Sequence, residues 1–472
     1  MAAQFETIAA QHKDISRQIA QFAASFDDLV VPQEVLQRAK YLILDAIGIA
    51  YASGAYEFAA RARQGVRALD SGAGQSVVIG HDDRLDLRNA ILLNGILVHG
   101  LDFDDTHAKG VIHATASVLP TVLGVACAQG KSGKQMLAAY VLGLEVACRL
   151  GVVAKGGFHQ LGFHPTGLVG TFGCTMAAAA LMNAKPEHYR DALGLALSSA
   201  SGSLEFLEDG AWNKRMHPGW AGVAAVTSAT LALHGYRGTQ RPIEGRFGLF
   251  NSYLGDRWNF DIDLAVQGLG EVWEVMAVSV KPIPACHFTH AAVDAAVRLY
   301  EQGVRHEDIE SIEVLVPQEV VKTVCEPLAA KRRPANSYEA QFSIPYLVAT
   351  GLIKGRLTLA EIEDQALVDP AVLALCDRTT YTADPDTAFP KYFDGEVVVT
   401  LKNGVILRER EAVNRGAFDR PLSSSDILHK FHENVATVAC PAQAEQIEQA
   451  VLGLDEHDAQ ALAHALGRAA KK

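Results

Sequence analysis

Cysteine is scarce in this chain. Only seven cysteines are spread over 472 residues, and none of them stands at a C-x-x-C or Cys/His spacing that would hold zinc. Their number is odd, so at least one thiol has no partner within the chain. We therefore expect reduced cysteines and a cytoplasmic protein, with neither a disulfide framework nor a structural zinc site.

Positive charge and long apolar runs are also lacking. The formal net charge is −12, whereas a nucleic-acid or anionic-membrane binder needs a basic face for phosphates. The most apolar stretch, YLILDAIGIAYASG, is interrupted by Asp45 and is shorter than the ~20 residues of a membrane span. The first 20 residues contain charged side chains and do not have the apolar core of a signal peptide. We expect no nucleic-acid partner and no membrane partner.

Small and apolar residues are abundant in the first part of the chain. The whole sequence is 49% apolar and 20% charged, as in a globular protein. Helical spacing recurs in segments rich in alanine and glycine, such as LDLRNAILLNGILVHG, GKQMLAAYVLGLEVACRLGVVA, TFGCTMAAAALMN and GWAGVAAVTSATLALHG. Small residues on several faces predict helices that pack closely on other helices. We predict a large helical bundle over residues 1–273.

The pattern changes after Trp273. IESIEVLVPQEVV alternates like a strand, and EVVVTLKNGVILRERE is typical of a hairpin whose Asn403-Gly404 pair suits a type I′ turn. Between them, SYEAQFSIPYLVATGLI and TLAEIEDQALVDPAVLALCD have helical patterns. We predict a smaller α+β domain over residues 274–408 and helices over residues 409–472 that rejoin the first domain. The predicted fold class is mainly α.

The segment HGLDFDDTHAKGVIH holds the densest group of reactive side chains. It contains Asp102, Asp104, Asp105, His99, His107 and His113. Three interpretations stay open: a metal site, acid–base chemistry on a substrate, and helix capping by at least two of the aspartates. A metal is disfavoured, because a DDxxD pattern would need an aspartate where Ala108 stands and no second acidic motif follows.

A second cluster lies in AWNKRMHPGWAG. It places Lys214, Arg215 and His217 close together, and Pro218 is expected to end or redirect the local chain. Each of these residues alone would most simply be a solvated cation or a core histidine.

A third cluster lies at the junction of the two predicted domains, where pockets are common. VKPIPACHFTH contains Lys281, His287 and His290. FHPTG is a weaker candidate, since His164 can line a pocket or simply precede a helix that Thr166 caps.

Together the three clusters suit a small substrate with several carboxylates. Lysine and arginine bind carboxylates through charge-assisted hydrogen bonds, and this neutralisation eases removal of a C–H proton from an adjacent carbon. A histidine with a pKa near 6.5 can then give or take a proton. These residues fit elimination, decarboxylation or epimerisation without a cofactor.

The sequence resembles the MmgE/PrpD family. The resemblance rests on GLDFDDTH…VIHATASVLP, GFHPTGLVGTFG, NKRMHPGWAG, EGRFGLF, VKPIPACHFTHAAVDAA and YEAQFSIPYLVA, which occur in the family's order. It implies a large all-helical domain built from both chain ends, a smaller α+β lid and a homodimer. The family includes 2-methylcitrate dehydratase, cis-aconitate decarboxylase and iminodisuccinate epimerase.

The resemblance also implies a set of site residues between the helical domain and the lid. The implied catalytic residues are Asp102, His113, Lys214, Lys281 and His287. The implied substrate-binding residues are Thr106, His107, His164, His217 and His290. No metal and no cofactor is implied. The DFDDTH form differs from the form of methylcitrate dehydratases, which weakens that interpretation.

Three hypotheses follow from the residues and the resemblance. The first is a cofactor-independent lyase, a dehydratase or decarboxylase, acting on a small di- or tricarboxylate such as cis-aconitate. In it the lysines and Thr106 hold carboxylates, and His113 or His287 moves the proton. The second is an epimerase or racemase of a dicarboxylate, which needs two acid–base groups on opposite faces of one carbon. The third is a ligand-binding homologue without activity.

Overall fold

A computed structural model describes residues 14–26 and 31–467. The helices in this part of the chain are α1 (Ile15–Ala24), α2 (Gln33–Ser53), α3 (Glu57–Leu69), α4 (Leu87–Val98), α5 (Ala114–Ala128), α6 (Gly133–Val153), α7 (Gly157–Gln160), α8 (Pro165–Leu181), α9 (Pro186–Ala196), α10 (Asn213–Leu233), α11 (Leu249–Tyr253), α12 (His290–Glu301), α13 (Val321–Val324), α14 (Leu328–Arg332), α15 (Ser337–Ala340), α16 (Ile344–Lys354), α17 (Pro370–Asp377), α18 (Ser424–Ala436), α19 (Pro441–Leu452) and α20 (Ala459–Leu466). The strands are β1 (Ser76–Val77), β2 (Arg84–Leu85), β3 (Thr106–His107), β4 (Val278–Ser279), β5 (Ile309–Val316), β6 (Thr379–Ala383), β7 (Gly395–Leu401) and β8 (Ile406–Glu411). The prediction of a mainly α fold is confirmed.

Close backbone contacts hold the helical core together. Helices α4, α5, α6, α8 and α10 form its centre. A Cβ on Gly173 of α8 would lie 2.3 Å from the carbonyl oxygen of Gly143 in α6, and one on Gly95 of α4 would lie 2.4 Å from Cα of Gly219 in α10. The small residues noted in the sequence therefore allow these helices to approach more closely than side chains would permit.

By length and apolar composition alone, helix α6 could cross a membrane. Helices α2 and α3, which are separated by a sharp bend, meet these two criteria when they are taken together. However, 89% of the most apolar window of α6 is buried inside the fold. Burial of this kind is what a central helix in a large bundle shows.

The two ends of the chain share one hydrophobic core. Buried residues between Ile15 and Val280 are continuous with those between Ile427 and Leu466. The C-terminal helix α18 packs on α2, where a Cβ on Gly48 would lie 3.1 Å from the ring of Phe431.

A second hydrophobic core belongs to the α+β unit. It contains Phe206 and buried residues between Ile283 and Val399. The sheet has the order β6-β5-β7-β8, in which only β5 and β6 are parallel. Helix α12 packs on β7 and β8 and on helix α16.

The prediction that Pro218 ends the local helix is wrong. Helix α10 continues through Pro218 to Leu233, although a proline there cannot donate to the carbonyl of Lys214. The reason is tertiary packing, because a Cβ on Gly219 would lie only 2.3 Å from the carbonyl oxygen of Leu92 in α4. Backbone-to-backbone contact along α10 outweighs the local cost of the proline.

The type I′ prediction for the hairpin is also wrong. A type I′ turn needs positive φ at both central residues, but at this turn only Gly404 has positive φ, at 85°. The N–H of Gly404 donates to Leu401 O at 2.8 Å, and the N–H of Leu401 donates to Val405 O at 2.8 Å. This is a three-residue loop with a left-handed glycine.

The two helices predicted between the strands are shorter than their patterns suggested. The first is split into α15 and α16 at residues 341–343, where the Ser343 side chain caps α16 by accepting from Tyr346 N–H. In the second, residues 359–362 form a 3-10 turn and only α17 is α-helical. Side chains that bond local N–H groups favour such caps over helix interiors.

Candidate active site

A cavity lies between the helical core and the α+β unit. Its polar lining consists of Asp102, Thr106, His113, His159, His164, Lys214, Lys281, Cys286, His287 and Thr323. Its apolar lining consists of Val111, Pro165, Leu204, Phe206, Leu207, Phe288, Phe342 and Phe393. Seven of the ten predicted site residues therefore line one cavity, although they come from four separate stretches of sequence.

Asp102 holds two lysines at the centre of the polar wall. Its Oδ1 lies 2.7 Å from Nζ of Lys214 and 2.9 Å from Nζ of Lys281, and its carbonyl oxygen accepts from Lys281 at 2.8 Å. All three side chains are buried. Burial alone would raise the pKa of Asp102, but the two ammonium groups hold it well below its usual range. Two cations and one anion leave this group with one net positive charge.

Three long side chains fix the loop that carries Asp102. Arg215 Nε donates to Gly100 O at 2.7 Å, Lys430 Nζ donates to Phe103 O at 2.9 Å, and Gln341 Nε2 donates to Leu101 O. Asp102 itself has a φ of +49°. Non-glycine residues rarely adopt this conformation, and the surrounding hydrogen bonds hold the loop in it.

His113 presents one ring nitrogen to the cavity. Its Nδ1 lies 2.7 Å from Asp105 O and 3.3 Å from Thr106 Oγ1, so Nδ1–H donates to the carbonyl and Nε2 is the nitrogen available to a ligand. Its backbone N–H donates to Thr166 Oγ1 at 3.0 Å. Thr166 therefore anchors His113 rather than capping α8. Burial first, then Lys281, lowers the pKa of His113 well below 6.5, so the ring is neutral in the free protein.

Behind His113 lies a buried pair that the sequence analysis did not assign to the site. Nδ1 of His99 is 2.8 Å from Oδ2 of Asp104, and both side chains are fully buried. The His99 ring lies 5.0 Å from that of His113 and stacks on that of His164 at 5.5 Å, centroid to centroid. Burial would raise the pKa of Asp104, but its contact with His99 lowers it to about 2.

The third aspartate of the motif has a structural role. Asp105 accepts from the hydroxyl and, at 3.4 Å, from the backbone N–H of Thr115 at the start of α5. Burial raises the pKa of Asp105 to about 7. The capping interpretation is thus right for one of the three aspartates and wrong for Asp102 and Asp104.

His287 and His290 occupy different positions on the opposite wall. His287 lines the cavity, its Nε2 accepts from the Asn414 amide at 2.8 Å, and burial with the nearby Lys281 lowers its pKa to about 3. His290 lies behind it, with ring centroids 4.6 Å apart, and its Nε2–H donates to Ala285 O at 3.1 Å. His290 therefore supports the wall without lining the cavity.

His217 and His107 do not line the cavity either, contrary to expectation. His217 lies behind His164, with 3.0 Å between their Nδ1 atoms. His107 follows Thr106 in β3, and successive residues of a strand point to opposite faces. His107 Nε2 lies 2.9 Å from Oε2 of Glu274, outside the cavity.

A metal ion is the alternative that this geometry tests most directly. Asp102, Asp104 and His113 each offer a ligand atom, and these atoms lie within 4.8 Å of one another. However, Asp102 already pairs with Lys214 and Lys281. A divalent cation bound to Asp102 would lie beside two ammonium groups, each of which is ~3 Å from the same carboxylate. Repulsion between these like charges opposes the binding of a cation there. The donor set as arranged suits an anionic ligand better than a cation.

Several lining residues had no signal in the sequence. His159, Thr323 and Phe206 come from segments whose patterns show only helices or loops. His159 packs edge-on against the Phe288 ring with the centroids 5.8 Å apart, and desolvation lowers its pKa to about 4. Asn414, which donates to His287, lies in the turn after β8. Only the fold brings these residues to the cavity.

Comparison with known families agrees with this arrangement. The MmgE/PrpD N-terminal domain model matches residues 17–261, and the MmgE/PrpD C-terminal domain model matches residues 283–456. Together the two matches cover most of the chain, and the break between them, residues 262–282, contains the cavity lysine Lys281.

Curated relatives include two kinds of lyase. A cis-aconitate decarboxylase from Aspergillus terreus is 26% identical over 465 residues, covering 93% of each chain, and the cis-aconitate decarboxylase of Mus musculus is 27% identical over 441 residues, covering 89% of this chain and 87% of the relative. The 2-methylcitrate dehydratase of Escherichia coli is 27% identical over 335 residues, or 65% of each chain. This chain belongs to the MmgE/PrpD family.

Proposed function

We propose that this protein is a cofactor-independent lyase acting on a small polycarboxylate, and that decarboxylation of a cis-aconitate-like acid is its reaction. The observation that carries the proposal is the pair of buried lysines at the cavity, Lys214 and Lys281, beside neutral histidines. Ammonium groups held on a shared carboxylate are ready to bind substrate carboxylates through charge-assisted hydrogen bonds. The choice of decarboxylation is supported by similarity to cis-aconitate decarboxylases over most of both chains.

The charge balance of the cavity favours a substrate with more than one carboxylate. The group formed by Lys214, Lys281 and Asp102 has one net positive charge. The apolar rings around it exclude water and strengthen its attraction for anions. Each further carboxylate favours protonation of a neighbouring histidine, and His113 is a lining histidine whose Nε2 is available for the proton.

The proposed reaction requires one proton and no redox change. In cis-aconitate, the bond between the saturated carbon and its carboxylate breaks, and CO₂ leaves without the electron pair. The pair spreads through the double bond to the carbon next to another carboxylate. That carbon takes a proton from the His113 imidazolium, which gives CO₂ and an unsaturated dicarboxylate. A positioned acid of this kind is worth about 10²–10⁴-fold in rate.

Proton NMR in D₂O tests the proposal. The purified protein, treated with EDTA, is mixed in turn with cis-aconitate, 2-methylcitrate, citrate and iminodisuccinate. We expect cis-aconitate to yield a decarboxylated alkene that carries one deuterium. A dehydrated product would replace decarboxylation by dehydration, and deuterium exchange without a new product would replace the lyase by an epimerase.

Two variants connect that reaction to the cavity. His113→Asn should slow formation of the product by about 10²–10⁴-fold, whereas His432→Asn should not, because His432 is a partly exposed histidine paired with Glu448 on the surface. Full activity of the His113 variant would contradict the assignment. No reaction of the wild-type protein on any acid of the panel would contradict the lyase proposal.

We also infer that the protein is a homodimer. Trp212, which immediately precedes α10, and Met216 and Trp220 within it recur every four residues, so they lie on one side at the start of this helix, and each is more than 40% exposed. Exposed apolar rows of this kind often mark protein–protein contacts. Sedimentation velocity should give a dimer for the wild-type protein and a monomer for Trp220→Glu. A monomeric wild-type protein at micromolar concentration would refute the inference.

A further inference from the structure

The Asp104–His99 pair has two features that its surroundings do not explain. Oδ1 of Asp104 and Nε2 of His99 are buried, and neither has a hydrogen-bond partner among the described residues. Buried polar atoms are normally satisfied, and unsatisfied ones often occur at functional sites. The pair does not line the cavity, so it cannot contact a substrate directly.

The position of the pair relates it to His113. The ligand atoms of Asp104 and His113 lie within 4.8 Å of each other, and the His99 ring lies against the His113 ring. His99 occupies Oδ2 of Asp104 and fixes the orientation of the carboxylate. A carboxylate buried this close to an imidazole favours the protonated form of that imidazole.

The other charged groups around His113 oppose each other. Lys214 on α10 and Lys281 after β4 disfavour a proton on the ring, and Asp102 on the same loop as Asp104 is already shared by these two lysines. His164, before α8, is a neutral ring 6.3 Å away. The carboxylate of Asp105 is bonded to Thr115, and burial raises its pKa to about 7. Asp104 is therefore the acidic side chain near His113 that pairs with no lysine and whose pKa is lowered.

We propose that Asp104, oriented by His99, is the counter-charge that lets His113 carry a proton while a polycarboxylate is bound. Both are positioning residues, because they act through His113. The role of Asp104 in catalysis rests on the proposed function. The number of protons taken up when a ligand binds, however, can be measured without turnover. Ligand carboxylates enter, one proton is taken from solvent, and it resides on His113 Nε2.

Titration calorimetry with tricarballylate, a saturated tricarboxylate that has no double bond to rearrange, tests the proposal. Binding is measured at pH 7.5 in HEPES and in Tris, whose different ionisation enthalpies give the number of protons taken up. We expect the wild-type protein to take up between about 0.5 and 1 proton per ligand. Asp104→Asn should reduce this uptake to less than about half of the wild-type value, because it keeps the shape and removes the charge.

Two further variants separate charge from structure. His99→Gln keeps the charge of Asp104 and a donor for it, so its proton uptake should stay close to that of the wild type. Glu274→Gln removes the carboxylate of the partly buried His107–Glu274 pair, which has a similar distance of 2.9 Å but lies outside the cavity. Its uptake should be unchanged. If Asp104→Asn disturbs the fold, Asp104→Ser removes the same charge with a smaller side chain.

The calorimetric outcomes distinguish the counter-charge proposal for Asp104 from the lyase proposal. The counter-charge proposal would be overturned if Asp104→Asn took up as many protons as the wild-type protein. It would also be overturned if His99→Gln or Glu274→Gln lost as much proton uptake as Asp104→Asn. Neither result would contradict the lyase proposal. Proton uptake that depends on Asp104, with no turnover on the panel of acids, would overturn the lyase and support the counter-charge. Failure of tricarballylate to bind would overturn both.

Turnover gives a second readout. Asp104→Asn should lower kcat by at least about tenfold with a smaller change in KM. The limb of the pH profile that reports protonation of His113 should move to lower pH, since loss of the carboxylate lowers the pKa of the ring. A lower kcat with an unmoved profile would mean that Asp104 has only a structural role, and would overturn the proposal.

Discussion

The two walls of the cavity carry similar residues in different environments. On the wall from residues 99–113, His99 pairs with Asp104, and His113 lies near Asp104 and two lysines. On the wall from residues 281–290, the histidines contact neutral groups: the amide of Asn414, the carbonyl of Ala285 and the ring of Phe393 at 5.3 Å. The first wall can stabilise a charged imidazole, whereas the second favours a neutral one.

This difference assigns separate tasks to chemically identical side chains. His113 has a carboxylate nearby and a free nitrogen at the cavity, so it suits proton transfer. His287 hydrogen bonds to an amide rather than lying beside a pair like Asp104–His99, so it suits orientation of the substrate. Lys281 connects the walls, because it comes from the second and binds Asp102 on the first.

Removal of Lys281 should have the largest effect. Lys281→Met would leave Asp102 with one fewer ammonium partner in a fully buried position. We expect a loss of more than about 10³-fold in kcat/KM and of about 3–5 kcal/mol in the free energy of unfolding. Steady-state kinetics and denaturant titration measure the two effects.

The control for that variant is Lys354→Met, which removes an exposed lysine paired with Asp369. Its stability should change by less than about 1 kcal/mol and its activity should not change. If Lys281→Met kept activity within tenfold, Lys281 would not bind the substrate and the two walls would act independently.

Loss of the proton donor should come second. His113→Asn keeps the size of a polar side chain and removes the titratable ring, so kcat should fall by about 10²–10⁴-fold with little change in KM. Stopped assays followed by NMR measure both constants. A larger loss in KM than in kcat would show that His113 binds substrate rather than moving a proton.

His287→Gln should have a smaller effect than His113→Asn. We expect a loss of less than about 10²-fold, mainly in KM, because this ring orients the substrate from a neutral wall. Asn414→Ala, which removes the donor to His287 Nε2, should give a similar but weaker change. If kcat fell further in His287→Gln than in His113→Asn, the roles assigned to the two histidines would have to be exchanged.

The smallest of the predicted effects is a loss of folding stability at acidic pH. It involves histidines on both walls of the cavity. Burial lowers the pKa values of His113, His159, His164, His217, His287 and His290. The unfolded chain therefore binds more protons than the folded one between about pH 6.5 and 4, and stability falls as pH falls through this window. Asp105 and Glu145, whose pKa values are raised to about 7, oppose this trend but are fewer.

Thermal unfolding at pH 7 and pH 5 measures whether the buried histidines or the buried carboxyl groups dominate the pH dependence of stability. We expect Tm to be lower at pH 5 by a few degrees, on the order of 1–2 kcal/mol of stability. A higher Tm at pH 5 would mean that the buried carboxyl groups outweigh the buried histidines.

Much of the fold followed from local patterns. Alanine- and glycine-rich helices predicted a close-packed bundle, and alternation predicted strand β5. The errors arose where tertiary contacts decide: α10 passes through Pro218 because Gly219 packs on the backbone of α4. The Asn403-Gly404 turn has only one residue with positive φ, because the loop includes an extra residue.

The site was predictable as a set of clusters but not as a geometry. Lys214, Lys281 and Asp102 lie far apart in sequence, and the resemblance to a family united them. Spacing could not distinguish Asp104, which pairs with His99, from its neighbour Asp105, which holds the start of α5. Likewise, the two-residue strand β3 directs Thr106 to the cavity and His107 away from it, and its register depends on pairing with β4.

The most direct test of the central claim is the position of deuterium in the product formed from cis-aconitate by the EDTA-treated protein in D₂O. We predict that the wild-type protein forms an unsaturated dicarboxylate with a single deuterium at the carbon next to a carboxylate, and that His113→Asn forms it about 10²–10⁴-fold more slowly. Equal rates for the two proteins, or a product without deuterium, would contradict proton transfer by His113.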